Sequence, residues 1–221
     1  MILSGILAII LGLAQYWSED FCLKCHTGFR RFISFAAGIS ISYVFLDLFP
    51  KFTEGAAEIS ELLFLSVLAG FVVFHLIEKY IYLYAPEDKL AGELAIEDSM
   101  VSFIYHFFIG ILLVQLSGLG ITEGLLFFIP IFFFTVISTL PVEASSRESV
   151  KIIVSSSTLV GVIFAHYLFN ITQTMFFTLL GFIGGALLFT VIRHSMPFGR
   201  EGKPFYFFIG VVLYSLLILM I

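Results

Sequence analysis

Two sets of residues in this chain are equipped for chemistry. One is the segment CLKCH, which carries Cys22, Cys25 and His26. Two thiolates and an imidazole hold zinc or copper(I) once a fourth ligand joins them, and the same C-x-x-C-H spacing is that of covalent haem attachment. The other set is scattered within or beside long apolar runs: Asp47, His75, Glu78, His106, Glu143, His166, Arg193 and His194. A titratable group in hydrocarbon is costly to keep and marks a functional position by default. His75 and Glu78 lie one turn apart, and His166 and Asn170 stand at i and i+4, so each pair shares a helix face.

The elements that must position these groups are eight apolar runs: Ile2–Tyr16, Phe32–Phe49, Leu62–Tyr84, Met100–Leu116, Ile121–Leu140, Val150–Phe169, Thr174–Ile192 and Phe205–Ile221. About 20 mainly apolar residues cross a bilayer as a helix, and the first run is the shortest fit. With the N-terminus outside, ten of the 11 Lys and Arg residues lie on the cytoplasmic side, and only Lys51 lies outside. That bias predicts both termini outside. The chain is 60% hydrophobic and 12% charged, too few charges for a water-soluble domain. No stretch outside the runs is long enough to fold alone, so residues 1–221 read as one membrane domain. The net charge of −5 is spread over loops and points to no nucleic-acid partner. The first run lacks a positive n-region and a small-x-small cleavage site, so it reads as a span rather than a signal peptide.

That topology weighs the two sets. CLKCH falls in a cytoplasmic loop, whereas haem is attached outside, so an unspecialised reduced pair is preferred to a metal-docking role. Asp47, Glu78, Lys79, Glu143, Arg193 and His194 lie near helix ends and are read first as reaching headgroup water. His75 is read as a packing residue. His166 is open between an interhelical hydrogen bond and a ligand. Thr135, Ser138 and Thr139 offer weak oxygen donors, although such hydroxyls usually bond back to their own helix. Pro130 should kink its helix and free a carbonyl, with a plain packing bend as the simpler expectation. The acidic segment Ala85–Ser99 is expected to be a solvated connector.

Two segments match in register. Phe35–Pro50 reads FAAGISISYVFLDLFP and Phe182–Pro197 reads FIGGALLFTVIRHSMP. Phe35 aligns with Phe182, Gly38 with Gly185, Asp47 with His194 and Pro50 with Pro197. These are runs two and seven, which cross in opposite directions. The expected fold is therefore an all-α polytopic membrane protein in a three-two-three plan. Its first three helices (about residues 1–84) return inverted as the last three (about 150–221), around a central pair (about 100–140). Inverted repeats are a recurrent plan of secondary transporters.

The three-two-three plan, the LDLFPKF end of run two, GFVVFHLIEKY in run three and GGALLFTVIRHSMP in run seven resemble the ZIP family of divalent-metal transporters. The resemblance implies a metal site between helices four and five. His106, in YHFFIGIL, stands where that family has a histidine; Phe107 and Gly110 stand where it usually has Asn and an acid. In STLPVE, Pro141 and Glu143 fit, while Ser138, Thr139 and Val142 replace stronger ligands. The resemblance thus implies a metal site built on His106 and Glu143. Asp47, His166 and Asn170 are the residues able to complete it, and Cys22, Cys25 and His26 form a cytoplasmic docking point if they bind metal.

The expected function is transport of a divalent cation (zinc, iron or manganese) toward the cytoplasm, in the inner cell membrane, with no resident cofactor. The expected partners are lipid and that ion, with a homodimer allowed. A sensor or scaffold that kept the fold without transport is the alternative. A metal-dependent intramembrane hydrolase ranks last, because no HxxxH pair or nucleophile motif is present, so no enzyme activity is expected.

Overall fold

The computed structural model describes residues 2–24, 29–84, 86, 90–138, 148–168, 170–195 and 203–221; side chains are described for these except 19–24, 29, 90–98, 137, 138, 194 and 195. Regular structure among them is helical throughout: α1 (Ile2–Lys24), α2 (Phe29–Tyr43), α3 (Phe49–Ile59), α4 (Phe64–Tyr84), α5 (Leu90–Leu119), α6 (Ile121–Ser138), α7 (Glu148–Ile163), α8 (Gln173–Thr190) and α9 (Pro204–Leu219). α2 and α3 are one continuous run. Five helices are long and apolar enough to cross a membrane (Arg30–Ile59, Glu61–Tyr84, Ser99–Leu119, Glu148–Leu168 and Gln173–Arg193), and three shorter apolar ones accompany them. The outer surface is apolar as well. Leu65, Leu68, Val73 and Leu76 of α4 are exposed, a continuous strip that suits lipid and not water.

The helices overrun the apolar runs. α1 continues to Lys24, so Cys22 lies on a helix and not in a loop; Cys25 and His26 lie outside the described residues. α5 begins at Leu90, inside the acidic segment expected as a connector. Its sequence there, LAGELAIED, is rich in strong helix formers, and backbone pairing does not stop where hydrophobicity does. The run α2–α3 passes through Pro50 without ending. Between its two halves lies a π turn, Val44–Leu48, in which the Phe49 N–H donates to the Val44 carbonyl five residues back. The wider turn gives the proline ring room beside the preceding carbonyls, the clash that otherwise breaks a helix.

Two more π turns occur, Phe164–Leu168 after α7 and Val191–Ser195 after α8. Each of the three carries an ionisable residue: Asp47, His166, and Arg193 with His194. The turns after α2 and α8 also share a register: Gly38 precedes Val44 by the same spacing as Gly185 precedes Val191.

Those two glycines mark the closest helix crossings. A Cβ on Gly38 would strike the Phe207 carbonyl and the backbone at Gly210 and Val211, and one on Gly210 would strike the Phe35 carbonyl. A Cβ on Gly185 would strike the Val67 carbonyl, and one on Gly70 the Phe182 carbonyl. α2 thus lies backbone to backbone on α9, and α8 on α4. Each pair is parallel. Lys203 N–H donates to Ser34 Oγ at 3.2 Å at one end of the first pair, and Ser215 Oγ meets Ser42 Oγ at 3.5 Å further along. Contacts of Gly181 with Phe52, of Gly184 with Leu48 and of Gly55 with Phe177 show that α8 runs antiparallel to α3. Gly110 of α5 and Gly161 of α7 form a third such crossing, and Gly12 of α1 meets the Ser155 carbonyl of α7.

The glycines therefore sort the helices into two groups. One holds α2, α3, α4, α8 and α9; the other holds α1, α5, α6 and α7. Every described glycine that meets a second helix meets it inside its own group. The seam between the groups is built from ring contacts instead: Tyr43 on Phe127, Phe35 on Phe133, Phe74 on Tyr105 and Phe108 on Phe182. α6 lies along this seam, packed against α2 as well as α1 and α5.

Pro130 sits inside α6 and has no N–H for the Leu126 carbonyl four residues back. The buried Tyr214 hydroxyl of α9 donates to that carbonyl at 2.5 Å. The carbonyl that proline releases is thus consumed by a partner across the seam.

Two outcomes are expected in thermal unfolding of the detergent-solubilised protein. Gly38→Leu and Gly185→Leu each destabilise by about 3 kcal/mol, the upper range for overpacking, while Gly5→Leu, with open space around its Cβ position, changes little. Tyr214→Phe costs roughly 1–3 kcal/mol by stranding a buried acceptor. Most of that cost disappears in a Pro130→Ala background, where the helix supplies its own donor.

Candidate functional site

His106 is the most buried of the described acidic and basic side chains, 1% exposed. α5 presents it to α1 and α6. Its Nδ1 lies 2.9 Å from the Ser102 carbonyl one turn earlier, and its Nε2 lies 3.0 Å from Thr135 Oγ1 on α6. A carbonyl only accepts, so in the neutral ring Nδ1 carries the proton and Nε2 accepts from Thr135. The Thr135 hydroxyl is also 2.8 Å from the Ile131 carbonyl. Its single proton serves one of the two, and turning it back to Ile131 would release the His106 Nε2 lone pair. Gln15 of α1 completes the group: its Nε2 donates to Ser102 Oγ at 2.7 Å and stands 3.4 Å from His106 Nδ1. Two buried atoms here, Gln15 Oε1 and the Tyr105 hydroxyl, have no hydrogen-bond partner, and the Tyr105 ring packs 5.6 Å from that of His106.

A second polar group lies further toward the start of α6. Asp47, on the π turn after α2, is 8% exposed. Lys51 donates to Asp47 Oδ1 at 2.7 Å and also to Glu123 of α6. The order acid then base at i, i+4 favours the first pair. Lys51, the one basic residue expected outside, is held between two carboxylates, and Asp47 is not left to headgroup water. Glu78 is likewise buried and paired, with Arg193 at 3.0 Å.

The expected metal donors do not gather in one place. His106 contacts Thr135, whereas the Asp47 group contacts Glu123, and those two α6 residues are separated by about 18 Å of helix. His166 is exposed, its ring edge-on to Tyr167 at 4.7 Å, and Asn170 is exposed in the segment that follows. Glu143, Cys25 and His26, and the side chain of Cys22, lie outside the described residues. Among the described residues no three His, Cys, Asp or Glu side chains stand close enough to hold a metal ion.

Gln15, Ser102, Lys51 and Glu123 join these groups without having been expected as site residues. Gln15 had a signal, being an amide inside the first apolar run. Lys51 had another, its i, i+4 spacing from Asp47. Glu123 had none, since its meeting with Lys51 depends on how α6 lies against α3.

No family model matches the sequence, and no curated protein matches it.

Lys51→Met removes the counter-ion of a buried carboxylate. It is expected to destabilise by about 3 kcal/mol, and Asp47→Asn in the same chain is expected to recover most of the loss. Chemical denaturation of the two variants in detergent provides the check.

Proposed function

We propose that the chain is a membrane transporter for a divalent metal cation, with the three-two-three plan and inverted repeats of the ZIP family. One observation carries the reading: α2 and α8 share the register of glycine and π turn, each lies on a parallel partner (α9 and α4), and the two pairs run in opposite senses. Two like halves of opposite sense around a central pair suit alternating access, in which one bundle shifts against the other. The glycine-poor, ring-lined seam is where such a shift would occur.

The substrate class rests on the resemblance and on His106. Turning Thr135 back to Ile131 frees a ring nitrogen, and the Gln15 amide and Ser102 hydroxyl stand beside it. Glu143, which follows the Thr135 helix in the sequence, is the carboxylate assigned to offset the ion's charge. Asp47, at the far end of the seam, would act at entry. His166 and Asn170 are exposed and are assigned only to the approach of the ion, and Cys22, Cys25 and His26 to its cytoplasmic exit. The orientation proposed is both termini outside in the inner cell membrane, with lipid and the ion as partners and a homodimer allowed. A non-transporting sensor or scaffold is the second reading, favoured by the engagement of both His106 nitrogens by the protein itself.

Uptake of zinc, iron(II), manganese and cadmium into proteoliposomes separates these readings. Transport by the parent protein, reduced about tenfold or more in His106→Ala and Glu143→Ala variants that remain folded, is the expected result. No uptake of any of the four by folded, inserted protein rejects the metal-transport reading in favour of the second.

A further inference from the structure

We infer that the Lys51–Glu123 ion pair is a latch that holds the two helix groups together at one end of the seam. The observations behind it do not depend on which solute, if any, is carried. The pairs α2–α9, α4–α8, α5–α7 and α1–α7 touch backbone to backbone at glycines, and α6 joins α5 where Gly124 meets Ser117 beside the turn between them. Across the seam the helices meet through side chains, edge-on ring pairs among them, and at no described glycine. Two polar ties cross it among the described side chains: Tyr214 to the Leu126 carbonyl, and Lys51 to Glu123. The first is deep and made by a buried hydroxyl. The second is reachable, with the Lys51 and Glu123 side chains each 31% exposed.

The triad is built asymmetrically. Asp47 and Lys51 belong to the same run of helix, so their pair survives any movement of α6, and the buried Asp47 keeps its counter-ion. Of the triad's two bonds, only the one to Glu123 must break when the groups part. Asp47 thus serves as a positioning residue that aims the Lys51 ammonium across the seam. The π turn supplies this aim, because its extra residue shifts Asp47 relative to the α2 face that packs on α9. Arg193 and Glu78 form the natural contrast. They too are an ion pair hung on a π turn, but both belong to one group, joining the end of α8 to α4. Breaking that pair leaves the seam untouched.

Distance measurement by electron–electron double resonance tests the latch. Spin labels are placed at Glu58→Cys on α3 and Leu119→Cys at the end of α5, both exposed positions, in a Cys22→Ser, Cys25→Ser background. Glu123→Gln, close to isosteric, is expected to add a longer-distance population and to change the ratio of short to long by roughly fivefold, the size of a partly exposed ion pair. High salt applied to the parent moves the distribution in the same direction, because it screens an exposed pair; this arm needs no substitution that alters folding. Glu78→Gln leaves the distribution as in the parent. An unchanged distribution in Glu123→Gln and in high salt overturns the latch. So does an equal shift in Glu78→Gln, which would trace the change to loss of charge in general.

Discussion

In hydrocarbon, two helices gain most by bringing their backbones together, and one Cβ prevents it. The rest of this structure depends on that constraint. Lipid tails are as apolar as leucine, so burying leucine against leucine yields little, whereas a glycine crossing adds dispersion contact along both backbones. At Gly38 and Gly210, at Gly70 and Gly185, and at Gly110 and Gly161 the facing helix occupies the place of the missing side chain. These crossings decide which helices lie backbone to backbone. Where they are lacking, along the line of Phe35, Tyr43, Phe74 and Phe108, the helices meet through rings.

The same low dielectric governs the polar groups. Asp47 and Glu78 are buried, and each stands in an ion pair. The Leu126 carbonyl released by Pro130 is taken by Tyr214. His106 uses both ring nitrogens. Each of these satisfies a group that would otherwise stand unpaired where water does not compete. Asp47 and Arg193, the partner of Glu78, ride on π turns, as does the exposed His166. A π turn inserts one residue into a helix and so rotates a side chain off the face that packing alone would assign it.

Much of the helical plan was legible in the sequence, because hydrophobicity is local. The centres of all eight apolar runs fall inside helices. The ends were less legible. Hydrophobicity ceases at the membrane surface, but helix hydrogen bonding continues through CLK at the end of α1, through FPKFTEGAAEI after the Val44–Leu48 turn and through LAGELAIED before Met100. The shared glycine-to-proline spacing of runs two and seven was visible as letters. Its physical content, a π turn and a parallel backbone crossing in each, was not, since a π turn has no composition of its own. At the site, the depth of His106 could be read from its place in an apolar run. Its partners could not: Thr135 lies on another helix, and Gln15 reaches it only because α1 packs beside α5 and α6. Lys51 shows the limit most plainly. Counting charges placed it on the outer side, but what it does there depends on Glu123, far along the chain.

The central claim is that two glycine-locked groups shift across a ring-lined seam during transport. Disulfide trapping with flux as the readout tests it most directly, in a Cys22→Ser, Cys25→Ser background whose own uptake is measured first and serves as the reference. One cysteine pair crosses the seam, Phe35→Cys with Phe133→Cys; the other lies within one group, Phe71→Cys with Phe189→Cys. The account predicts that oxidation of the first pair stops metal uptake into proteoliposomes and that reduction restores it, while oxidation of the second leaves uptake unchanged. Full uptake with the first pair oxidised would contradict it.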